Sequence, residues 1–149
     1  PASSRRRRVL AGSVVGVVAL LLAAVVLAVR VPLFAGIGHR TDTPVDAANV
    51  HSKYELGIGD LTLNFAGVSL PKGQTFVKAT VGIGNLTVIV PANASVDVKG
   101  SAQAGHLQLL GQSDDGTHVR SHLVDRTGSG RVLVLDVRTG LGRVQVQRG

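Results

Sequence analysis

His118 and His122, four positions apart, come closest in this sequence to a metal pair. On a helix that spacing aims two imidazoles at one ion. The surrounding residues read as extended chain, where four residues span about 13 Å, too far for one metal to bridge. No nearby Glu completes a set, so both are read as exposed strand histidines. Asp114 and Asp115 could offer carboxylates to calcium, but Asp114-Asp115-Gly116 reads as a hairpin turn between Leu107–Leu110 and His118–Val124. Gly57-Ile58-Gly59 and Gly82-Ile83-Gly84 suggest a phosphate cradle, which needs a third glycine and a following helix; strand-forming residues follow instead. Glycan hydrolysis needs paired carboxylates, whereas Asp60, Asp97, Asp114, Asp125 and Asp136 are spread along the chain. The absence of cysteine removes disulfides and thiolate chemistry, and no Ser-His-Asp arrangement stands out. The sequence therefore designates no catalytic residue, no metal ligand and no cofactor.

The glycines carry a different message. Gly57-Ile-Gly-Asp-Leu-Thr-Leu63 returns as Gly82-Ile-Gly-Asn-Leu-Thr-Val88, with fainter copies at Gln103–Leu109 and Gly140–Val146 and a possible fifth at Gly128–Val134. Aligned on the second glycine, the copies sit at Gly59, Gly84, Gly105, Gly130 and Gly142, at intervals of 25, 21, 25 and 12 residues. That period points to stacked repeats, with one of the last pair not a full unit. The slot after the second glycine holds Asp60, Asn85, His106 and Arg143. Chemistry so varied marks the slot as structural, not catalytic.

Around each glycine pair, apolar residues alternate: Val77, Ala79, Val81 before, and Leu86, Val88, Val90 after. Period two is a strand with one buried face. Each unit thus reads as strand, kink, strand, with Gly57, Gly59, Gly82, Gly84, Gly105, Gly140 and Gly142 as the kinks, because glycine accepts positive φ and close backbone approach. The run Val132–Val137 reads as a strand buried on both faces. The expected fold is all-β, a β-solenoid of eight to ten short strands over residues 53–149, with open sheet edges near Lys53 and after Gln147.

What precedes this domain is different in kind. Val9–Val29 is 21 residues without a charge, with Ser13 as its one hydroxyl. As a helix it would span about 30 Å, the thickness of a bilayer core. It reads as one uncleaved transmembrane helix, since the run exceeds the apolar core of a signal peptide. Residues 1–8 form a basic flank whose Arg5, Arg6, Arg7 and Arg8 place it in the cytoplasm, leaving the C-terminal domain outside. Residues 30–52 read as a connector. The net charge of +7 resides mostly here: residues 1–40 hold six Arg and no acid, while the remainder holds ten basic and nine acidic residues. A nearly neutral domain argues against nucleic acid. Its expected partners are the lipid bilayer and a membrane signalling protein or a second copy of itself. Because the chain starts at Pro1, it reads as a fragment.

Tyr54-Glu-Leu-Gly-Ile-Gly-Asp-Leu-Thr-Leu63, Leu70-Pro-Lys-Gly73 and Val81-Gly-Ile-Gly-Asn-Leu-Thr-Val-Ile-Val-Pro91 resemble the C-terminal domain of the LiaF-like, cell-wall-active-antibiotic-response proteins, also found behind membrane segments in phage-shock-protein-C-type proteins. The resemblance covers residues 53–149. It implies a β-helix-like fold, a role in envelope-stress sensing or regulation at the cell membrane, and no enzyme activity. A structural spacer and an exported polysaccharide-active protein are the alternative readings.

Overall fold

A computed structural model of the chain describes residues 36–149. The Val9–Val29 span, the Arg5–Arg8 flank and residue 30 lie outside the described residues. Within them, no helix is long and apolar enough to cross a membrane. The described chain is all-β, with one short 3-10 turn at Ala47–Asn49. Its strands are β1 (Ile37–Asp42), β2 (Lys53–Asn64), β3 (Gly73–Val90), β4 (Ser95–Leu109), β5 (Gln112–Asp125) and β6 (Arg131–Arg148).

These form a single sheet of six strands in the order β1-β2-β3-β6-β4-β5. All neighbours are parallel except the β4–β5 hairpin. Six long strands replace the eight to ten short ones expected, because the ladder continues through each kink: β3 stays paired with β6 from Gly73 to Val90. Nor does the chain wind in sequence order, as the simple solenoid reading expects. β6 lies between β3 and β4, so the C-terminal strand is central and not an edge. The edges are β1 and β5, in place of the expected ones near Lys53 and after Gln147. Composition explains the choice. β6 offers Leu133, Leu135, Val137, Val144 and Val146, all buried, whereas β5 carries Asp114, Asp115, His118, Arg120 and His122, which only a strand with one wet edge tolerates. β1 falls inside the stretch read as a connector, because Gly36-Ile37-Gly38 serves as a strand corner there and not as a chain break.

The second glycine of each unit lies in one column: Gly38, Gly59, Gly84, Gly142, Gly105 and Gly116 are successive partners across the sheet. Their φ values run from +129° to +144°, a region that side chains disfavour. Close approach excludes a side chain as well. A Cβ on Gly84 would collide with the carbonyl oxygen of Gly59 and lie 2.8 Å from its carbon. Gly59 stands in the same relation to Gly38, Gly142 to Gly84, and Gly105 to Gly142. The first glycines, Gly57, Gly82 and Gly140, have no positive φ, and Gly57 serves a bulge in which its N–H and that of Ile58 both reach the Gly36 carbonyl. Gly128 and Gly130 form a loop before β6 and are outside the column.

At the corner the inward parity flips, from Val77, Ala79 and Val81 to Leu86, Val88 and Val90. Each strand from β2 to β6 therefore folds back so that its two halves face one another, while β1 supplies only the half after the corner. The Tyr54 and Phe65 rings, from opposite halves of the β2 unit, meet at 6.2 Å. In β4, a Cβ on Gly100 would press on Leu107 and Leu109 of the same strand. The core is the layer between these two leaves, and burial in it pushes the Tyr54 phenol above its ordinary pKa. Val132–Val137 is correspondingly buried on one face, with Leu133, Leu135 and Val137 inside and the alternate residues half-exposed, because only one side of each leaf meets the core.

Asp114-Asp115-Gly116 is not the hairpin turn. The chain reverses at Leu110-Gly111, with φ of +47° and +96°, the signature of a two-residue I′ turn. Gly116 is instead the corner glycine of β5, opposite Gly105. Ends of the inward rows are charged or polar: Leu61, Leu86, Val144 and Leu107 run between Arg40 and Asp114, while Leu63, Val88, Val146 and Leu109 run between Asp42 and Gln112. Arg148 closes one end of the fold by donating to Asp125 at 2.7 Å and to the carbonyls of Pro91 and Ala94 at 2.9 and 3.0 Å.

Two substitutions test this packing in denaturant melts of the purified protein. Gly84→Ala meets both the φ and the carbonyl of the next strand and is expected to cost about 3 kcal/mol or more. Gly116→Ala has the same φ of +134° but meets only the Val119 side chain at 3.8 Å, so it should cost about 1–2 kcal/mol. Equal losses would show that close approach contributes nothing. The buried Thr139 hydroxyl has no hydrogen-bond partner among the described residues, so Thr139→Val should raise stability by about 1 kcal/mol.

Candidate functional site

The slot after the corner glycine becomes a continuous polar row on the outside of one leaf. Across the sheet it reads His39, Asp60, Asn85, Arg143, His106, Asp115. Inward parity resumes at the next residue, so this slot must face out. Neighbours in the row bond to one another. His39 Nδ1 meets Asp60 Oδ2 at 2.8 Å, and the Asn85 amide donates to the other Asp60 oxygen at 2.7 Å. At the far end His106 Nδ1 meets Asp115 Oδ1. Arg143, exposed at the centre, has no ion-pair or hydrogen-bond partner among the described residues. Two positions on, a second outward row follows: Thr41, Thr62, Thr87, Gln145, Gln108, Ser113. Together they make a polar face without a Phe, Tyr or Trp side chain, ordered at the strand spacing of about 4.8 Å.

Catalytic arrangements are not what this face assembles. Asp60 and Asp115 share a row but stand four strand spacings apart, about 19 Å, well beyond the separation that a carboxylate pair needs. Three of the other acids are engaged elsewhere: Asp97 with His122 at 2.7 Å, Asp125 with Arg148, and Asp136 with Arg138 at 2.6 Å. The Asp136 carboxylate raises the pKa of the Arg138 guanidinium through their hydrogen bonds. His118 and His122 both lie on the edge strand β5, and His118 adopts φ +55° just beyond the corner. Among the described residues, no three His, Cys, Asp or Glu side chains are placed to hold a metal.

Reading the sequence singled out Asp60, Asn85, His106 and Arg143 as equivalent positions but not as contacts, and it missed His39 and Asp115. Gly38-His39 and Gly116 carry the same glycine signal. It went unread because Gly36–Gly38 looked like a breaker and Gly116 like a turn.

Residues 40–146 match the family described as cell wall-active antibiotics response LiaF, C-terminal. Protein LiaF of Bacillus subtilis (strain 168) is 27% identical over 92 residues, spanning 60% of this chain but only 38% of that protein. Among solved structures, a crystal structure from Clostridium sporogenes ATCC 15579, described as a candidate cell adhesion protein, aligns with a TM-score of 0.53 over 76% of this chain and 53% of that one. At 17% identity, this is a likeness of fold alone.

Because its guanidinium is unpaired, Arg143→Ala should shift the denaturation midpoint by less than about 0.5 kcal/mol equivalent. Asp60→Ala, which loses two bonds at a half-exposed position, should cost about 1 kcal/mol. A larger loss at Arg143 than at Asp60 would show that Arg143 supports the fold and is not free for a partner.

Proposed function

This chain belongs to the family of cell wall-active antibiotics response LiaF C-terminal domains, and we propose that it is the non-catalytic sensing or regulatory domain of a membrane-anchored cell-envelope stress protein. The observation that carries the reading is the family match itself, which runs from β1 to β6 and so takes in nearly the whole folded sheet. We read that sheet as a short solenoid-like stack whose coils are doubled strands, wound out of sequence order. Val9–Val29 supplies the anchor and Arg5–Arg8 its cytoplasmic flank, which sets the domain on the outer side of the membrane. The longer relative leaves room for membrane or signalling segments that this chain does not span.

The domain acts by binding, to a membrane signalling protein or to an envelope component, through the outward polar face. Charged residues at the ends of the inward rows, Arg40 and Asp42 on β1 and Asp114 on β5, disfavour strand addition at either edge, because an added strand would stack its apolar residues on a charge.

The test is genetic and topological. Deleting the chain in its source organism and challenging the cells with a cell wall-active antibiotic should change envelope-stress transcription at least two-fold, with restoration by the intact chain. An unchanged response would remove the regulatory role. Protease added to intact cells should digest the β domain, and protection until lysis would reverse the orientation.

A further inference from the structure

The middle residue of each Gly-x-Gly corner has its own row, and that row is apolar. Ile37, Ile58, Ile83, Leu141 and Ala104 are successive partners across β1, β2, β3, β6 and β4. They take no part in the core. Ile37 is 79% exposed, and Ile83 and Leu141 are each 40% exposed. The fold thus carries an apolar ridge along its crease, about 19 Å long at the strand spacing. Kinking alone does not require it. The corner needs the glycines that flank this position, and a polar residue between them would be better solvated. Thr117, the next partner on the edge strand β5, is polar.

We infer that this ridge lies on the lipid bilayer, in its interfacial zone. The inference rests on the anchor reading of Val9–Val29. The chain supplies the reason for choosing lipid over protein. The ridge begins at Ile37, seven residues after Arg30, so a fully extended connection is at most about 25 Å long. The sequence between them includes the apolar stretch Val31-Pro-Leu-Phe34. The near end of the ridge is therefore within reach of the bilayer, and docking the ridge on lipid buries apolar surface that water otherwise wets. The flanks of the ridge fit the same surface. Arg143, two residues beyond Leu141 and without an ion partner among the described residues, is placed to reach lipid phosphate. Asp60, on the same flank, is occupied by His39 and Asn85. Docked this way, the crease faces the lipid and the two leaves extend away from it.

The chain has no cysteine, so single labels can be introduced without other changes. The full chain is reconstituted into phosphatidylcholine–phosphatidylglycerol vesicles. An environment-sensitive fluorophore is attached at Ile83→Cys, at Leu141→Cys, or at Gln147→Cys, an exposed site about 20 Å along β6 from the ridge. Lipids with a nitroxide near the headgroup serve as the quencher. Quenching at positions 83 and 141 is expected to exceed that at 147 at least two-fold, with a blue-shifted emission. Equal quenching at all three sites overturns the docking and leaves the anchor intact. A blue shift at 83 that follows the protein-to-lipid ratio without nitroxide quenching also overturns it, and assigns the ridge to protein contact. A chain that fails to float with the vesicles overturns the anchor reading and the docking together.

Discussion

The contact between one glycine carbonyl and the next glycine's Cα, repeated from strand to strand, is the constraint on which the structure depends. At Gly59, Gly84, Gly142 and Gly105 the backbone of one strand occupies the space where the neighbour's side chain would start. Only a column of glycines lets five parallel strands turn together at the same level, and only an unbroken column keeps their ladders in register on both sides of the turn. Its demands fade at the margins. Gly38 and Gly116 keep the unusual φ but have no crowding contact on their open side.

The parity flip at that column distributes chemistry over the surface. Residues before and after the corner alternate with opposite phase, so each half-strand turns its Val and Leu toward the other leaf. What remains outside sorts into rows, because parallel strands in register place equivalent residues side by side. One row is apolar and lies on the crease; the next is the polar series from His39 to Asp115, bonded at its two ends; the one after is rich in Thr and Gln. Repetition in the sequence thus becomes linear order on the surface. Individual ion pairs in such a row contribute little to stability at these exposures. Their effect is to hold side chains in fixed places, which suits a surface that recognises a partner.

The extended surfaces of the described domain are the crease and the leaf face. The proposed division of labour follows from that geometry. The crease, whose apolar row begins at Ile37, is the surface proposed to meet lipid. The polar leaf, with charged residues at its edges, stays open for a partner. Regulation by such a domain is a matter of which surface is covered and when, consistent with a family named for its response to cell wall-active antibiotics.

The sequence by itself determined the strand character, the inward residues and the corner at Gly59, Gly84, Gly105 and Gly142, because period-two alternation and glycine pairs are local signals. Its resemblance at Tyr54–Leu63 and Val81–Pro91 also pointed to the family. Strand order was decided only in three dimensions. Local pattern does not distinguish a C-terminal strand that caps a stack from one that inserts between β3 and β4; that depended on which strands could bear an exposed edge, a comparison among all six. The Gly116 corner was hidden because Asp-Asp-Gly is locally a good turn, while the turn that formed, Leu110-Gly111, uses a leucine at positive φ that packs against the core. The polar row was half legible. Equivalence of Asp60, Asn85, His106 and Arg143 could be read from the repeat, but adjacency could not, since His106 and Arg143 became neighbours only when β6 took its place beside β4.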